Sequence, residues 1–210
     1  MTTAPADGVD AEFPVVRSIP RFTGRVITVR TDELRMPDGS TSDRDIVVHP
    51  GAVAVLALDE ADRVVLVRQW RQPVGHLLEE LPAGLLDVVG EPALAAGRRE
   101  LLEEAALVAT EWHVLIDLYT SPGMSDEAIR VFLARGLRDV SEDLRFKREH
   151  EEATMTLRRV PLEQAVAAVF AAEITNAAAV AGILAAATAR GVGWASLRPA
   201  DAPWPARAGS

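Results

Sequence analysis

The sequence predicts an α/β protein in which helices pack on a mixed β-sheet, and three observations support this. Apolar runs of strand length recur along the chain, at 51–58, 63–71, 112–119 and 128–134. A helix-favouring segment, 92–107, with Pro92 suited to its first helical position, lies between the second and third of these runs. Two further helical segments follow, at 161–172 and 176–190. At 210 residues the chain is long enough for one sizeable domain with a small appendage.

The composition of the chain limits which partners it can bind and in which compartment it is expected. A net charge of −9 and a pI near 5.0, with no basic run to offset them, argue against nucleic acid or an anionic membrane surface. The absence of cysteine excludes disulfides and thiolate metal sites. The acidic N-terminus does not resemble a signal peptide, and the longest clean apolar run, 177–187, is too short to span a bilayer. We therefore expect a cytoplasmic protein that binds neither nucleic acid nor membranes.

The N-terminal part of the chain reads as a small β unit. We expect residues 1–13 to be disordered and residues 14–50 to form an antiparallel unit. Its predicted strands are 25–30, 33–36 and 44–49, with a turn at Pro37–Ser40. Three short strands bury little apolar surface, so the unit needs a partner surface, either the main domain or another subunit.

The main domain is predicted to cover residues 51–190. The short acidic link at 59–62 suggests that the apolar runs 51–58 and 63–71 form a hairpin. Residues 76–81 are predicted as a further strand, 137–152 as a long surface loop with some helix, and 153–160 as the last strand. The tail from 191 to 210, rich in proline and small residues, is expected to be irregular.

The chemistry of the chain concentrates on the helix-favouring segment 92–107. Glu100, Glu103 and Glu104 fall at i, i+3 and i+4, so a helix places all three carboxylates on one face. The apolar residues that share the roughly opposite face, which a helix buries, are Leu94, Leu101 and Ala105. Three neighbouring anions repel one another, and clustered carboxylate oxygens suit a hard divalent ion, Mg²⁺ before Zn²⁺ or Fe²⁺. The alternative is a solvated acidic helix face with ordinary ion pairs.

This segment resembles the Nudix box, G-x5-E-x7-R-E-U-x-E-E-x-G-U, where U is aliphatic. Glu91 and, after seven residues, the run from Arg99 to Leu107 match the pattern with two departures. Six residues instead of five separate Gly84 from Glu91, and Ala106 stands where the family has glycine. Neither departure removes a carboxylate.

The resemblance implies a fold and a metal site. The fold is the Nudix-type α/β/α sandwich with a mixed sheet, to which this chain adds the small N-terminal β unit. Glu100 and Glu104 are implied as direct Mg²⁺ ligands, Glu103 as a ligand of a further ion, and the Ala83 carbonyl as an additional oxygen donor, with Mn²⁺ as a possible substitute. The residues implied to support the site are Arg99, which orients the glutamates, Gly84 and Pro122.

The flanking motifs are similar to those of the ADP-ribose pyrophosphatase group of this family, especially its actinobacterial members. They comprise Gln69-Trp-Arg71, Glu80-Leu-Pro-Ala-Gly84 with the extra loop residue, and the run SPGMSDEAIRV at 121–131. Pro122 also lies sixteen residues beyond Ala106, as the proline of that group does beyond the closing glycine of its box. The implied reaction is Mg²⁺-dependent hydrolysis of ADP-ribose to AMP and ribose 5-phosphate.

Two alternatives remain beside this function. The first is hydrolysis of another nucleoside diphosphate derivative, such as NADH, FAD or a sugar nucleotide. The second is an ADP-ribose sensor that binds without cleaving. Such sensors need a DNA-binding appendage and tend to lose box carboxylates, whereas this chain keeps all three and offers no basic helix-turn-helix candidate.

The resemblance also implies which residues contact the substrate. Arg44 corresponds to a substrate-contacting arginine of the N-terminal unit, Arg71 to a phosphate-contacting one and Glu80 to a substrate-side glutamate. Gly123 and Met124 of the 121–131 run complete the set. The group forms homodimers in which the N-terminal unit crosses to the partner. For Arg44 the competing interpretation is a surface charge between Asp43 and Asp45.

The attacking water needs a base, which the resembling enzymes place on a long loop before the last strand. Glu152 corresponds best, with Glu151 as the fallback, and Glu104 is the third catalytic candidate. A glutamate near a metal site accepts a proton without a large pKa shift, because the metal supplies the acidification.

Overall fold

A computed structural model of the chain describes residues 13–141 and 154–207, which fall into two compact units. The first unit contains the described residues up to His49 together with 121–126. The second contains the remainder, from Pro50 to Thr120 and from Glu127 onward. The predicted base candidates Glu151 and Glu152 lie outside the described residues, as do residues 1–12 of the segment 1–13 that was predicted to be disordered.

The first unit is a three-stranded antiparallel sheet in the order β1-β2-β3. Its strands are β1 (Val15–Thr23), β2 (Thr28–Arg35) and β3 (Thr41–Val48). Residues 121–126 attach to β3, because the N–H of Val47 donates to the carbonyl of Met124 over 2.8 Å. The side chains of β1 are mostly exposed.

The strand limits of this unit differ from the prediction. β1 was not predicted, and the two predicted strands 25–30 and 33–36 are one continuous strand. The predicted strands left out Thr31 and Asp32, yet both are buried within β2. The Thr31 hydroxyl donates to Asp45 over 2.6 Å, and Arg30 Nε donates to Asp32 over 2.9 Å. Polar residues remain inside a strand when the sheet satisfies their hydrogen bonds.

The second unit contains two sheets. The five-stranded sheet has the order β11-β8-β9-β4-β7, and the three-stranded sheet has the order β10-β5-β6. Only β4 and β9 pair in parallel, so the larger sheet is mixed, as predicted. The strands are β4 (Ala52–Ala57), β5 (Arg63–Arg71), β6 (His76–Glu80), β7 (Ala83–Leu85), β8 (Leu107–Tyr119), β9 (Ala128–Asp139), β10 (Thr156–Pro161) and β11 (Arg198–Pro199).

Helices cover both faces of the five-stranded sheet. The helices are α1 (Ala93–Ala105), α2 (Leu162–Phe170) and α3 (Ala177–Gly191). One buried cluster joins α1 to the sheet through Leu101 and Phe132, and a second joins α2 and α3 to the opposite face through Leu162, Ile183 and Leu133. The predicted α/β/α sandwich is therefore confirmed. Among the described residues, no helix combines the length and apolarity needed to cross a membrane.

The predicted hairpin of 51–58 with 63–71 is wrong, although both segments are strands. β4 pairs with β9 and β7, whereas β5 pairs with β10 and β6. Only one bridge, Leu58 to Val64, joins them. Each strand already has two neighbours, so the short link at 59–62 carries the chain from one sheet to the other.

The later segments also differ from expectation. β9 runs to Asp139, so the predicted loop at 137 starts inside a strand, and most of that loop lies outside the described residues. The tail expected to be irregular contains β11, which pairs with His113 and Val114 of β8, and a short 3₁₀ helix, Pro205–Arg207.

Candidate active site

The acidic helix α1 follows the turn after β7. Pro92 is its N-cap residue and the helix begins at Ala93, one residue later than predicted, since the sequence suggested Pro92 as the first helical residue. Gly97 lets the helix approach the sheet closely, because a Cβ there would lie 3.3 Å from the Phe132 ring. The helix ends at Ala106, whose φ of 53° is left-handed.

The carboxylates of α1 are more buried than the sequence suggested. Leu101 and Ala105 are buried as predicted, but Glu100 and Glu104 are also only 9% and 7% exposed. They are buried because α1 packs against β7 as well as against the apolar cluster. Glu103 lies on the flank, with 30% of its side chain exposed.

Backbone atoms of β7 contact two of these carboxylates. The N–H of Ala83 donates to Oε2 of Glu104 over 2.9 Å. The Glu100 carboxylate occupies the space beside Gly84 where a Cβ would lie, so any larger residue at 84 would collide with it. Ala83 and Gly84 of β7 therefore lie directly against the carboxylates of Glu104 and Glu100.

Arg99 organises the remaining charges. Its Nε and NH2 donate to the two oxygens of Glu91 over 3.1 and 3.0 Å, and NH1 donates to Glu100 over 2.6 Å and to Glu103 over 3.2 Å. Hydrogen bonding to Glu91 is the main cause that raises the pKa of Arg99 above its ordinary value. The same bonds lower the pKa of Glu91. Glu91 was predicted only as a member of the motif, although its spacing of eight residues from Arg99 is visible in the sequence.

The donor set on α1 suits a hard divalent cation. It consists of the carboxylates of Glu100, Glu103 and Glu104, and it contains no sulfur or imidazole. The carboxylates of Glu100 and Glu104 are buried and lie against the backbone of β7. Within residues 13–141 and 154–207, no three acidic or histidine side chains are grouped closely enough to hold a metal ion in the conformation described. The guanidinium of Arg99 lies among these carboxylates instead.

Arg71 and Glu80 form a second polar group in the same unit. Arg71 makes a forked contact with Glu80, with Nε at 3.0 Å from Oε1 and NH2 at 2.6 Å from Oε2. Gln69 donates to the same carboxylate over 3.1 Å. Glu80 is 2% exposed, whereas 41% of the Arg71 side chain is exposed. Glu80 therefore orients Arg71, a relationship that the sequence analysis did not identify.

The other predicted site residues belong to the first unit. Arg44 is exposed on β3 and donates to Ser42 over 2.6 Å and to the Asp43 carbonyl over 2.8 Å. Pro122, Gly123 and Met124 lie in the exposed turn that attaches to β3.

Comparison with known proteins bears directly on this geometry. A family model described as the NUDIX domain matches residues 48–180, which include α1 and the turn before it. The chain belongs to the Nudix family. Its acidic helix is the Nudix helix, and the chain is a Nudix hydrolase. Nudix hydrolases use divalent metal ions, in agreement with the oxygen donors of that helix.

Two curated relatives of this Nudix hydrolase cover most of its length. The "ADP-ribose pyrophosphatase" of Mycobacterium tuberculosis is 45% identical over 92% of this chain and 91% of that protein. The "ADP-ribose pyrophosphatase" of Bacillus subtilis is 39% identical over 74% of this chain and 82% of that protein.

A solved structure supports the fold. The crystal structure of an "ADP compounds hydrolase" superposes with a TM-score of 0.74 and covers 87% of this chain and 96% of that one. At 20% identity it shows that the Nudix fold is shared.

Proposed function

We propose that this Nudix hydrolase cleaves the pyrophosphate of ADP-ribose to AMP and ribose 5-phosphate. The observation that carries the proposal is the placement of Glu100 and Glu104, which are both buried and lie against Gly84 and Ala83 of β7. A carboxylate cluster of this kind suits a reaction at a diphosphate, whose charge a divalent ion neutralises. The two ADP-ribose pyrophosphatases that match most of the chain support the substrate.

Mg²⁺ is the proposed cofactor, with Mn²⁺ as a substitute. Glu100, Glu103, Glu104 and the Ala83 carbonyl would hold it. When bound, such an ion neutralises phosphate charge and makes a nearby water more acidic. Arg99 would fix the directions of Glu100 and Glu103, to which it already donates hydrogen bonds.

Five of the predicted site residues are proposed to contact the substrate, and Pro122 to support one of their turns. Arg71 is proposed to contact a phosphate, with its guanidinium oriented by Glu80, which also faces the substrate. Arg44, Gly123 and Met124 are proposed to complete the substrate contacts, and Pro122 to shape the turn that carries two of them.

Glu152 is the proposed base, with Glu151 as the alternative. The oxygen of water attacks phosphorus, its proton passes to the glutamate carboxylate, and the bond from phosphorus to the bridging oxygen breaks.

A homodimer is proposed because the first unit leaves apolar side chains exposed. Val15 and Phe22 of β1 are 56% and 57% exposed. An edge strand with exposed apolar side chains favours a partner. Light scattering of the purified protein tests this, since a monomer at micromolar concentration contradicts it. A cytoplasmic location stays a prediction based on the cysteine-free composition.

The function is tested with purified protein and a substrate panel of ADP-ribose, NADH, FAD and GDP-mannose, scored by kcat/KM. ADP-ribose is expected to lead by at least tenfold, with AMP and ribose 5-phosphate as products. A panel led by another compound, or one without turnover, contradicts the proposal.

Two variants test whether the activity arises at the Nudix helix. Glu104→Gln is expected to lower kcat/KM on the order of 100-fold or more, because it removes a proposed ligand while the amide oxygen still accepts from Ala83. Glu111→Gln, the same change at an exposed position on β8, is the matched control and should retain activity. Equal activity of both variants would remove the helix from the reaction.

A further inference from the structure

Arg130 on β9 is a buried charged residue that the proposed reaction does not use. Only 4% of its side chain is exposed. Its Nε and NH2 donate to the two oxygens of Asp117 over 2.7 and 3.0 Å. Burying a charge is costly unless it is paired and hydrogen-bonded, and replacing such a pair by apolar residues is often neutral or stabilising. An apolar pair could therefore serve the fold as well, so the other contacts of Arg130 need their own explanation.

The remaining Arg130 contacts go to the C-terminal part of the chain. NH1 donates to the carbonyl of Ala202 over 2.7 Å, and NH2 donates to that of Pro203 over 3.0 Å. The guanidinium carbon lies 4.8 Å from the centre of the Trp204 ring. Arg198 adds a 2.9 Å bond to Asp117. Residues 198–204, which we name the C-terminal strap, are thus held by Arg130 and Asp117.

A single row of paired residues connects this anchor to the Nudix helix. Asp117 pairs with Arg130, Arg130 with Val53, and Val53 with Gly84. Residues paired directly across strands point to the same face of a sheet. Gly84 is the residue beside which the Glu100 carboxylate lies. The strap therefore lies at one end of this row and the Glu100 carboxylate at the other. Arg130 on β9 and Gly84 on β7 are separated by two strand spacings, roughly 10 Å, because β4 lies between them.

A bulge in β8 brings Asp117 to this face. Val114 and Asp117 are three residues apart, which in a regular strand places them on opposite faces. The irregularity between Val114 and Ile116 shifts the alternation, so Val114 faces the α1 cluster and Asp117 faces the same way. Bulges of this kind re-aim a side chain near functional sites.

The strap and the start of the Nudix helix share one apolar cluster. Ala200 and Ala202 of the strap pack against it, as do Leu86 after β7 and Leu94 in the first turn of α1. The cluster includes Leu101, which is buried on α1 beside Glu100. The strap thus covers the cluster on which α1 rests.

From these contacts we propose that the C-terminal strap, held by Arg130, positions the Nudix helix so that its carboxylates form the divalent-metal site. Arg130 is a positioning residue, and this inference rests on the metal site of the proposed function. Loss of the anchor shifts α1 relative to β7, which separates Glu104 from the Ala83 N–H and moves Glu100 from Gly84.

The test measures Mn²⁺ binding to the full-length protein by electron paramagnetic resonance, without substrate, well below the melting temperature of each variant. Arg130→Met is expected to weaken Mn²⁺ binding about tenfold, the size typical of losing support around a metal ligand, and to raise the Mg²⁺ concentration for half-maximal activity similarly. Circular dichroism confirms that the variant is folded.

Arg135→Met is the matched control. Arg135 is also on β9, and its guanidinium carbon lies 5.2 Å from the ring centre of another C-terminal tryptophan, Trp194. Trp194 packs in the cluster on the opposite face of the sheet. The Arg135→Met change should lower the melting temperature but alter the Mn²⁺ affinity less than twofold.

Further variants keep the test decisive if Arg130→Met does not fold. Trp204→Leu leaves the Arg130–Asp117 pair intact, and Asp117→Leu combined with Arg130→Met removes both charges. Either is expected to weaken Mn²⁺ binding at least threefold. Unchanged Mn²⁺ affinity in these folded variants overturns the positioning role while leaving the proposed reaction intact. Failure of the unmodified protein to bind Mn²⁺ overturns the metal site and this inference together, and the ADP-ribose panel remains a separate result.

Discussion

The carboxylate of Glu100 fills the space beside Gly84 in which a Cβ would lie. This contact joins the turn before the Nudix helix to the helix itself. It gives the glycine of the box a steric role: the backbone of β7 must approach the carboxylate more closely than a side chain would allow.

Gly84→Ala is therefore expected to displace the Glu100 carboxylate and lower kcat/KM for ADP-ribose on the order of 100-fold, a loss comparable to that of a misplaced catalytic group. Its fold should persist, because the collision is with the end of a side chain. Steady-state kinetics with a circular dichroism spectrum check this. Gly191→Ala, at a position where a Cβ meets nothing within 4 Å, is the control. Full activity of Gly84→Ala would show that the Glu100 position does not matter.

Glu152→Gln is expected to lower kcat on the order of 100-fold or more, the contribution of a general base, while Mn²⁺ affinity changes little. Glu151→Gln is its neighbour and control, and should keep most of the parent kcat. Product formation measured at fixed times with saturating ADP-ribose gives the kcat of each variant and so distinguishes Glu152 from Glu151 as the base. If the loss of kcat falls on Glu151→Gln instead, Glu151 is the base.

Asp117→Asn is expected to lower the free energy of unfolding by about 2 kcal/mol at pH 7, the usual range for hydrogen bonds to a charged group. Burial raises the pKa of Asp117, but the hydrogen bonds and charges of Arg130 and Arg198 outweigh this and leave it below its ordinary value. Its folded-state pKa therefore lies below the unfolded one, about 3.9. The stabilisation is complete above that unfolded value and is lost as pH falls through the folded one.

Urea unfolding of both proteins between pH 7 and pH 3 measures this effect. The difference between parent and Asp117→Asn should be constant down to about pH 5 and should shrink below the unfolded pKa. A difference that stays constant to pH 3 would show that the carboxylate charge does not stabilise the fold.

Strand and helix types could be predicted from the sequence, but strand neighbours could not. The runs that became β4 and β5 were visible from their apolar residues, yet nothing local shows that β4 pairs with β9, about 75 residues away along the chain. β1 was missed because most of its side chains are exposed, so the alternation of a half-buried strand is absent.

For the site, too, the sequence predicted the residues but not their contacts. The motif at 91–107 identified the carboxylates, and the structure added what depends on three-dimensional packing: the Ala83 N–H on Glu104, the space beside Gly84 and the Glu80 contact with Arg71. Arg130 was part of a motif in the sequence, but its partner Asp117 reaches it only through a bulge, which alternation does not reveal.

Ala106→Gly is expected to stabilise the protein by about 1 kcal/mol, because alanine at this helix C-cap adopts a left-handed conformation that glycine tolerates better. The family pattern has glycine here, so the departure noted in the sequence carries backbone strain. Ala95→Gly, at an exposed position in the first turn of the same helix, should have the opposite sign and destabilise by up to about 1 kcal/mol. Urea midpoints at constant m-value measure both changes. A lower midpoint for Ala106→Gly would mean that the entropy gained by the unfolded glycine chain exceeds the strain relieved at the cap.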